Sequence, residues 1–310
     1  MLLAGCGSTF SYAYTQNIGD STFSYTAKSS GTAEAADSFA RNLCVVKGDV
    51  GNDNTVTMSN ATAAALFDVS RRETLFAREI HKKLYPASMT KVMTALVALK
   101  YGSTDQLLTA DEAVYVTEID AQLCGIQAGD TLTLDQALHL LLIYSANDAA
   151  NLIAESIGGS VESFVAMMND EARALGATNT NFVNPNGLHN DNHYTTAYDM
   201  YLIFNAAIQY DLFKEIINQS SYSTKYRHAD GTEQEISVKS TNQYLTGTRS
   251  APTGVTVLGG KTGTTNAAGH CLVMLSRNSS GNPYISVVMQ AYNQDTLYRI
   301  MTELLAEIPN

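Results

Sequence analysis

The sequence predicts an α+β fold, a mainly antiparallel sheet built from both ends of the domain with helices packed on it and a helical lobe inserted between. Three observations lead there. Strand-like runs near 63–77 return only after residue 255, the stretch between them reads as successive helices with their own start and stop signals, and a helical pattern closes the chain.

Taken in order, 63–69 and 73–77 flank Ser-Arg-Arg and predict a strand pair. Residues 88–100 place Val92, Ala95, Leu96 and Leu99 on one helical face, with Gly102 as a stop. Thr133 with Gln136 forms a capping box ahead of an apolar stretch running toward Ser145. A helix over 147–157 ends at Gly158-Gly159, and Ser160 caps the next, which runs to Gly176. Asn184-Pro-Asn-Gly187 is a turn, Thr196 with Asp199 starts a helix reaching about Tyr210, and Asp230-Gly231 marks a hairpin. Strands follow at 255–258, 271–277 and 284–292, then a helix over 295–307.

Length and charge narrow the function. A chain of 310 residues fits one large domain (41–310) behind an N-terminal segment (1–40) that is rich in Ser, Thr, Ala, Gly and Tyr. That segment repeats Ser-Thr-Phe-Ser-Tyr at 8–12 and 21–25 and reads as a flexible tether. A formal charge of -11 argues against nucleic acid as a partner, because phosphate neutralisation needs clustered cations. No apolar run approaches the length of a membrane span.

The four cysteines form no CxxC pair, which argues against a zinc knuckle or a thioredoxin-like site. Cys271 lies in an apolar run and reads as a small core residue. Cys44 with Cys124 is one of three pairings open to the interior cysteines. Cys6 closes Leu3-Ala4-Gly5-Cys6, which resembles the lipobox at which bacterial lipoproteins are cut and acylated, although only five residues precede it.

Chemistry concentrates in three short motifs. Ser88-Met-Thr-Lys91 sets a hydroxyl and an amine one helical turn apart, so the amine can take the hydroxyl proton. To act as a base near neutrality, that lysine must fall from ~10.4 toward ~7, a change of roughly 4 kcal/mol that burial or a neighbouring cation can supply. Ser145-Ala-Asn147 adds a second hydroxyl and a carboxamide, able to relay a proton and hold a substrate amide. Lys261-Thr-Gly263 follows an apolar strand and Gly259-Gly260; its lysine and threonine suit a carboxylate, and its charge can depress Lys91. Each motif alone has an ordinary reading as a helix start, a helix junction or a Gly-rich turn. In the order SxxK, SxN, KTG they supply successive needs of one acyl transfer. His189 and His193 flank Asp191, but metal ligation needs a third placed ligand, so this run reads as a structural loop, with no metal or cofactor expected.

That motif set resembles the penicillin-binding proteins, and across about residues 39–308 the sequence resembles the D-alanyl-D-alanine carboxypeptidases. The resemblance extends through Tyr85-Pro-Ala-Ser-Met-Thr-Lys-Val-Met-Thr-Ala95, Ser145-Ala-Asn-Asp-Ala-Ala150, His193-Tyr-Thr-Thr-Ala-Tyr-Asp199 and Gly260-Lys-Thr-Gly-Thr-Thr-Asn-Ala-Ala-Gly269. It implies a β-lactamase/DD-peptidase-like fold and a cell-wall substrate, a peptidoglycan stem peptide ending in D-Ala-D-Ala. Ser88 is then the nucleophile, Lys91 its base and Ser145 the proton carrier. Asn147, Lys261, Thr262, Gly263 and Thr264 are substrate-binding, with the backbone N–H groups of Ser88 and Thr264 holding the oxyanion. β-Lactam antibiotics are expected to be covalent inhibitors, and the setting is the cell envelope outside the cytoplasm, with membrane attachment only through lipidation at Cys6.

Three other readings share the motifs. A class A β-lactamase adds a Glu to drive water onto the acyl-enzyme, yet no Glu lies between Glu171 and Glu215. A non-catalytic penicillin sensor would keep the acyl group as a signal. A DD-endopeptidase or transpeptidase differs only in what it cuts or in what attacks the acyl-enzyme.

Overall fold

Apolar runs long enough to bury both faces of a strand organise this molecule. The computed structural model describes residues 12–15, 24–27, 40–51, 55–119 and 121–309. The chain divides into two compact units, Met1–Asn42 and Leu43–Asn310. In the first, β1 (Tyr12–Thr15) pairs antiparallel with β2 (Ser24–Ala27). Cys6 and most of the tether predicted over 7–40 lie outside the described residues.

The second unit is built on a five-stranded antiparallel sheet. Its strands are β3 (Ala63–Asp68), β4 (Glu73–Arg78), β9 (Val255–Thr265), β10 (Gly269–Asn278) and β11 (Pro283–Ala291), in the order β4-β3-β11-β10-β9. The two chain ends therefore meet at the β3–β11 pairing, where Leu66 faces Ser286. All six residues of β3 are buried, which explains why five consecutive apolar residues, Ala63 to Phe67, precede Asp68 without alternation. One face (Ala65, Phe67, Val273, Val287) packs with α1 (Lys91–Tyr101) and α5 (Ala197–Ala207). The other face (Leu66, Leu272, Met274, Val288) packs with α7 (Gln294–Ala306) through Leu297, Ile300, Met301 and Leu304, each worth about 1.5–3 kcal/mol when fully buried.

The inserted lobe carries the remaining elements. A second sheet of four strands runs β5 (Leu107–Thr109), β6 (Thr131–Thr133), β7 (Ser221–Arg227) and β8 (Glu233–Lys239). Helices α2 (Leu134–His139), α3 (Asn147–Gly158), α4 (Val161–Ala174) and α6 (Asp211–Ile217) complete it. The predicted capping box is present: Gln136 N–H donates to Thr133 Oγ1 at 3.2 Å, and Thr133 N–H to Gln136 Oε1 at 2.8 Å. Ser160 and Thr196 cap α4 and α5 by the first of these bonds alone, accepting from the N–H groups of Ser163 and Asp199. Among the described residues no helix is long and apolar enough to cross a membrane. Cys44, Cys124 and Cys271 are free thiols, so the Cys44–Cys124 pairing is not made.

Candidate active site

Ser88 sits in a 3-10 turn, Ala87–Thr90, that runs directly into α1, and Ala87 enters it at φ +48°, a left-handed conformation costly for a residue with a Cβ. Two glycines hold that turn. A Cβ on Gly187 would lie 2.0 Å from Ala87 O, and one on Gly263 would lie 2.8 Å from Pro86 O and 3.0 Å from Ser88 N. Backbone from the Asn184-Pro-Asn-Gly187 turn and from β9 thus closes on the nucleophile at distances only glycine permits.

Lys91, the first residue of α1, is fully buried with Nζ 3.0 Å from Ser88 Oγ. It also donates to Asn147 Oδ1 at 2.7 Å and to the carbonyl of Asn186 at 2.6 Å. Both are acceptors only in this arrangement, so a neutral amine spends its two N–H bonds on them and turns its lone pair to the serine hydroxyl. Burial pushes Lys91 well below the usual lysine range and the charge of Lys261 pushes it further, while Asp148 opposes both. The neutral base required by SxxK chemistry is therefore the form this environment favours.

Opposite stands a second lysine–serine pair. Lys261 on β9 is fully buried and donates to Ser145 Oγ at 2.9 Å and to Thr262 O at 2.8 Å. Burial lowers it to about 7. Ser145 is left-handed (φ +73°) at the end of a π-turn, Leu140–Tyr144, which breaks the helical run so that Asn147 can open α3. Asp148 anchors the junction from below, its carboxylate accepting N–H bonds from Cys124, Gly125, Ile126 and Ala149. Ser88, Ser145, Asn147, Thr262, Gly263 and Thr264 line one cleft of about 350 Å³. With two serine hydroxyls, each within 3.0 Å of a buried lysine amine, and the edge strand β9 around one cleft, the site is equipped for acyl transfer.

The profile of the D-alanyl-D-alanine carboxypeptidase family matches residues 51–293. The chain belongs to that family. It is 31% identical to D-alanyl-D-alanine carboxypeptidase DacF of Bacillus subtilis over 71% of this chain and 55% of that protein, so it spans about half the length of that relative. It is also 31% identical to a D-alanyl-D-alanine endopeptidase of Pseudomonas aeruginosa, over 78% of this chain and 75% of that one. Among solved structures, the Streptomyces K15 DD-transpeptidase matches with a TM-score of 0.74 at 26% identity, covering 85% of this chain and 98% of that one.

Every site residue named from the motifs of this family reaches the cleft or its floor, with Lys91 and Lys261 buried beneath the surface residues. Three contributors were not singled out from sequence. The Asn186 carbonyl is a backbone group without a side-chain signature, although the turn that carries it was legible. Thr241 hydrogen-bonds the Thr262 hydroxyl and lines the cleft; its only signal was its place just before Asn242. Asp148 lies in the Ser145–Ala150 run, but the loop it anchors, residues 124–126, is more than twenty residues away in sequence and carries no signal of the contact. The His189–His193 run is structural: Val183 N–H donates to His193 Nδ1 at 3.2 Å, so Nε2–H donates to Thr90 Oγ1 at 2.7 Å. Burial, then His189 and Lys91, lower His193 to about 4 and keep that ring neutral beside the SxxK turn.

Proposed function

We propose that the protein is a serine-type D-Ala-D-Ala carboxypeptidase that removes the terminal D-alanine of a peptidoglycan stem peptide through an acyl-enzyme on Ser88. The contact set of Lys91, with two acceptors filled and the lone pair facing Ser88 Oγ, carries this reading.

The Ser88 proton passes to Lys91 as Oγ bonds the carbonyl carbon between the two D-alanines. The oxyanion is held by the N–H groups of Ser88 and Thr264, a donor of this kind being worth roughly 2.7–4 kcal/mol. As the C–N bond breaks, Ser145 hands its proton to the departing amine and takes up in turn the one Lys91 accepted from Ser88, so Lys91 is neutral again and Lys261, 2.9 Å from Ser145, keeps its charge. Lys261 and Thr262 hold the terminal carboxylate until D-alanine leaves, Asn147 orients the acyl side, and water then releases the shortened peptide. Mass spectrometry on a peptide ending in D-Ala-D-Ala tests this: the wild type removes one alanine and Ser88→Ala does not. Penicillin labelling of Ser88 without any turnover would favour the sensor reading instead.

β-Lactams are assigned as slow-turnover covalent inhibitors, because no Glu lies between Glu171 and Glu215 to drive water onto the acyl-enzyme; rapid multiple-turnover hydrolysis of nitrocefin would overturn this. Endopeptidase activity is the second reading, favoured by the similarity to the Pseudomonas aeruginosa endopeptidase, and product analysis on purified peptidoglycan separates the two. The enzyme is assigned to the cell envelope, as a lipoprotein held through Cys6 and acting in wall trimming and cell shape. Globomycin sensitivity or lipid labelling of the precursor tests the anchor.

A further inference from the structure

We propose that the cleft contains a side-chain subsite on the α7 face of β9, formed by His270, Thr264 and Gln294, that receives a carboxylate borne by the residue preceding D-Ala-D-Ala. The inference rests on the carboxypeptidase reading and specifies its substrate.

β9 is the edge of its sheet, so a peptide laid along it as an added strand presents alternate side chains to the two faces. On one face Gly263 packs against the Ser88 turn. On the other, Thr264 pairs directly with His270 of β10, and the same face continues through Leu272 and Met274 onto α7. His270, Thr264, Gln294 and Leu297 all line the cleft. His270 Nδ1 lies 3.3 Å from Thr264 Oγ1. When that nitrogen accepts the threonine hydroxyl, Nε2 carries the ring proton and is left as a donor. Gln294 is exposed, and its side chain makes no hydrogen bond of its own among the described residues. In a chain with 30 acidic residues, no Asp or Glu is among the described residues lining the cleft. Asp295, next to Gln294, is already paired with Arg249. The subsite therefore offers donors without a competing anion, which matches a carboxylate and gives an ammonium no carboxylate to pair with.

The test uses three peptides, Nα-acetyl-X-D-Ala-D-Ala, with X as L-2-aminoadipate, L-norleucine or L-lysine. Wild-type kcat/KM for D-alanine release is expected to be roughly tenfold higher for the aminoadipyl than for the norleucyl peptide, with most of the difference in KM. His270→Phe should bring that ratio close to one, and Gln294→Leu should lower it. Calorimetric affinities for Ser88→Ala should show the same preference without turnover. Equal or reversed selectivity in the wild type, or a ratio unchanged in both variants, overturns the subsite. Selective binding with no D-alanine release from any peptide would retain the subsite and reject the carboxypeptidase reading.

Discussion

The cleft holds two lysine–serine pairs of similar length that are assembled differently. Ser88 and Lys91 are three residues apart, joined by one turn, and lie 3.0 Å from each other. Ser145 and Lys261 are 116 residues apart, come from the inserted lobe and the sheet, and lie 2.9 Å from each other. Both lysines are depressed by burial, but only Lys91 is depressed further by its counterpart. The difference teaches that the local pair is set by helical geometry and tuned by the distant one, whereas the distant pair exists only when lobe and sheet have docked. A cation at Lys261 thus depresses Lys91 and, in the proposed reaction, also holds the substrate carboxylate.

Four substitutions break or sharpen this comparison. Lys91→Met removes the base, and kcat/KM for D-alanine release should fall on the order of 10³-fold or more, while a thermal melt still shows a folded protein. Gly187→Ala pushes a Cβ into the Ala87 carbonyl and displaces Ser88 while leaving both lysine side chains in place in the sequence, although the adjoining Asn186 carbonyl that accepts from Lys91 must shift with it. A loss of about 10²-fold in kcat is expected, and an unchanged rate would show that the clamp is dispensable.

Lys261→Met should raise KM roughly 10- to 100-fold yet also raise Tm at pH 7, since an apolar residue replaces a buried amine. Its pH signature has a definite sign. The folded protein releases the Lys261 proton at about 7, whereas the unfolded chain keeps it to the ordinary value of 10.5. The unfolded state therefore binds more protons across that window, and wild-type stability climbs as pH rises through it. Denaturant melts of Lys261→Met should lose that part of the slope. Thr241→Val, which removes only the partner of the Thr262 hydroxyl, should raise KM about fivefold and leave Tm nearly unaltered.

The same contrast explains what could be read from the sequence. SxxK spacing was legible because one turn fixes it, and the discrepancy there is small: the first turn is 3-10, with α-helix beginning at Lys91. The caps at Thr133, Ser160 and Thr196 were legible because their partners lie three residues on. β5 and β6 escaped notice because three-residue strands show no period. The long apolar stretch toward Ser145 read as helix, although it ends in a π-turn that delivers Ser145 left-handed. Helix α6 was missed because its seven residues follow α5 with almost no break. The Cys44–Cys124 pairing is not made: Cys44 Sγ donates to Asp68 O, while the backbone N–H of Cys124 is held by the Asp148 carboxylate.

The meeting of both chain ends at β3 and β11 has a consequence in time. The segment from β3 through α1, carrying Ser88 and Lys91, leaves the ribosome long before β9, β10 and β11, which supply Lys261, the Gly263 clamp and the strand that pairs with β3. Such sequence-distant pairings form slowly. A nascent chain accordingly holds the Ser88–Lys91 turn without the wall that completes the cleft, which is assembled only once the last strands have joined the sheet.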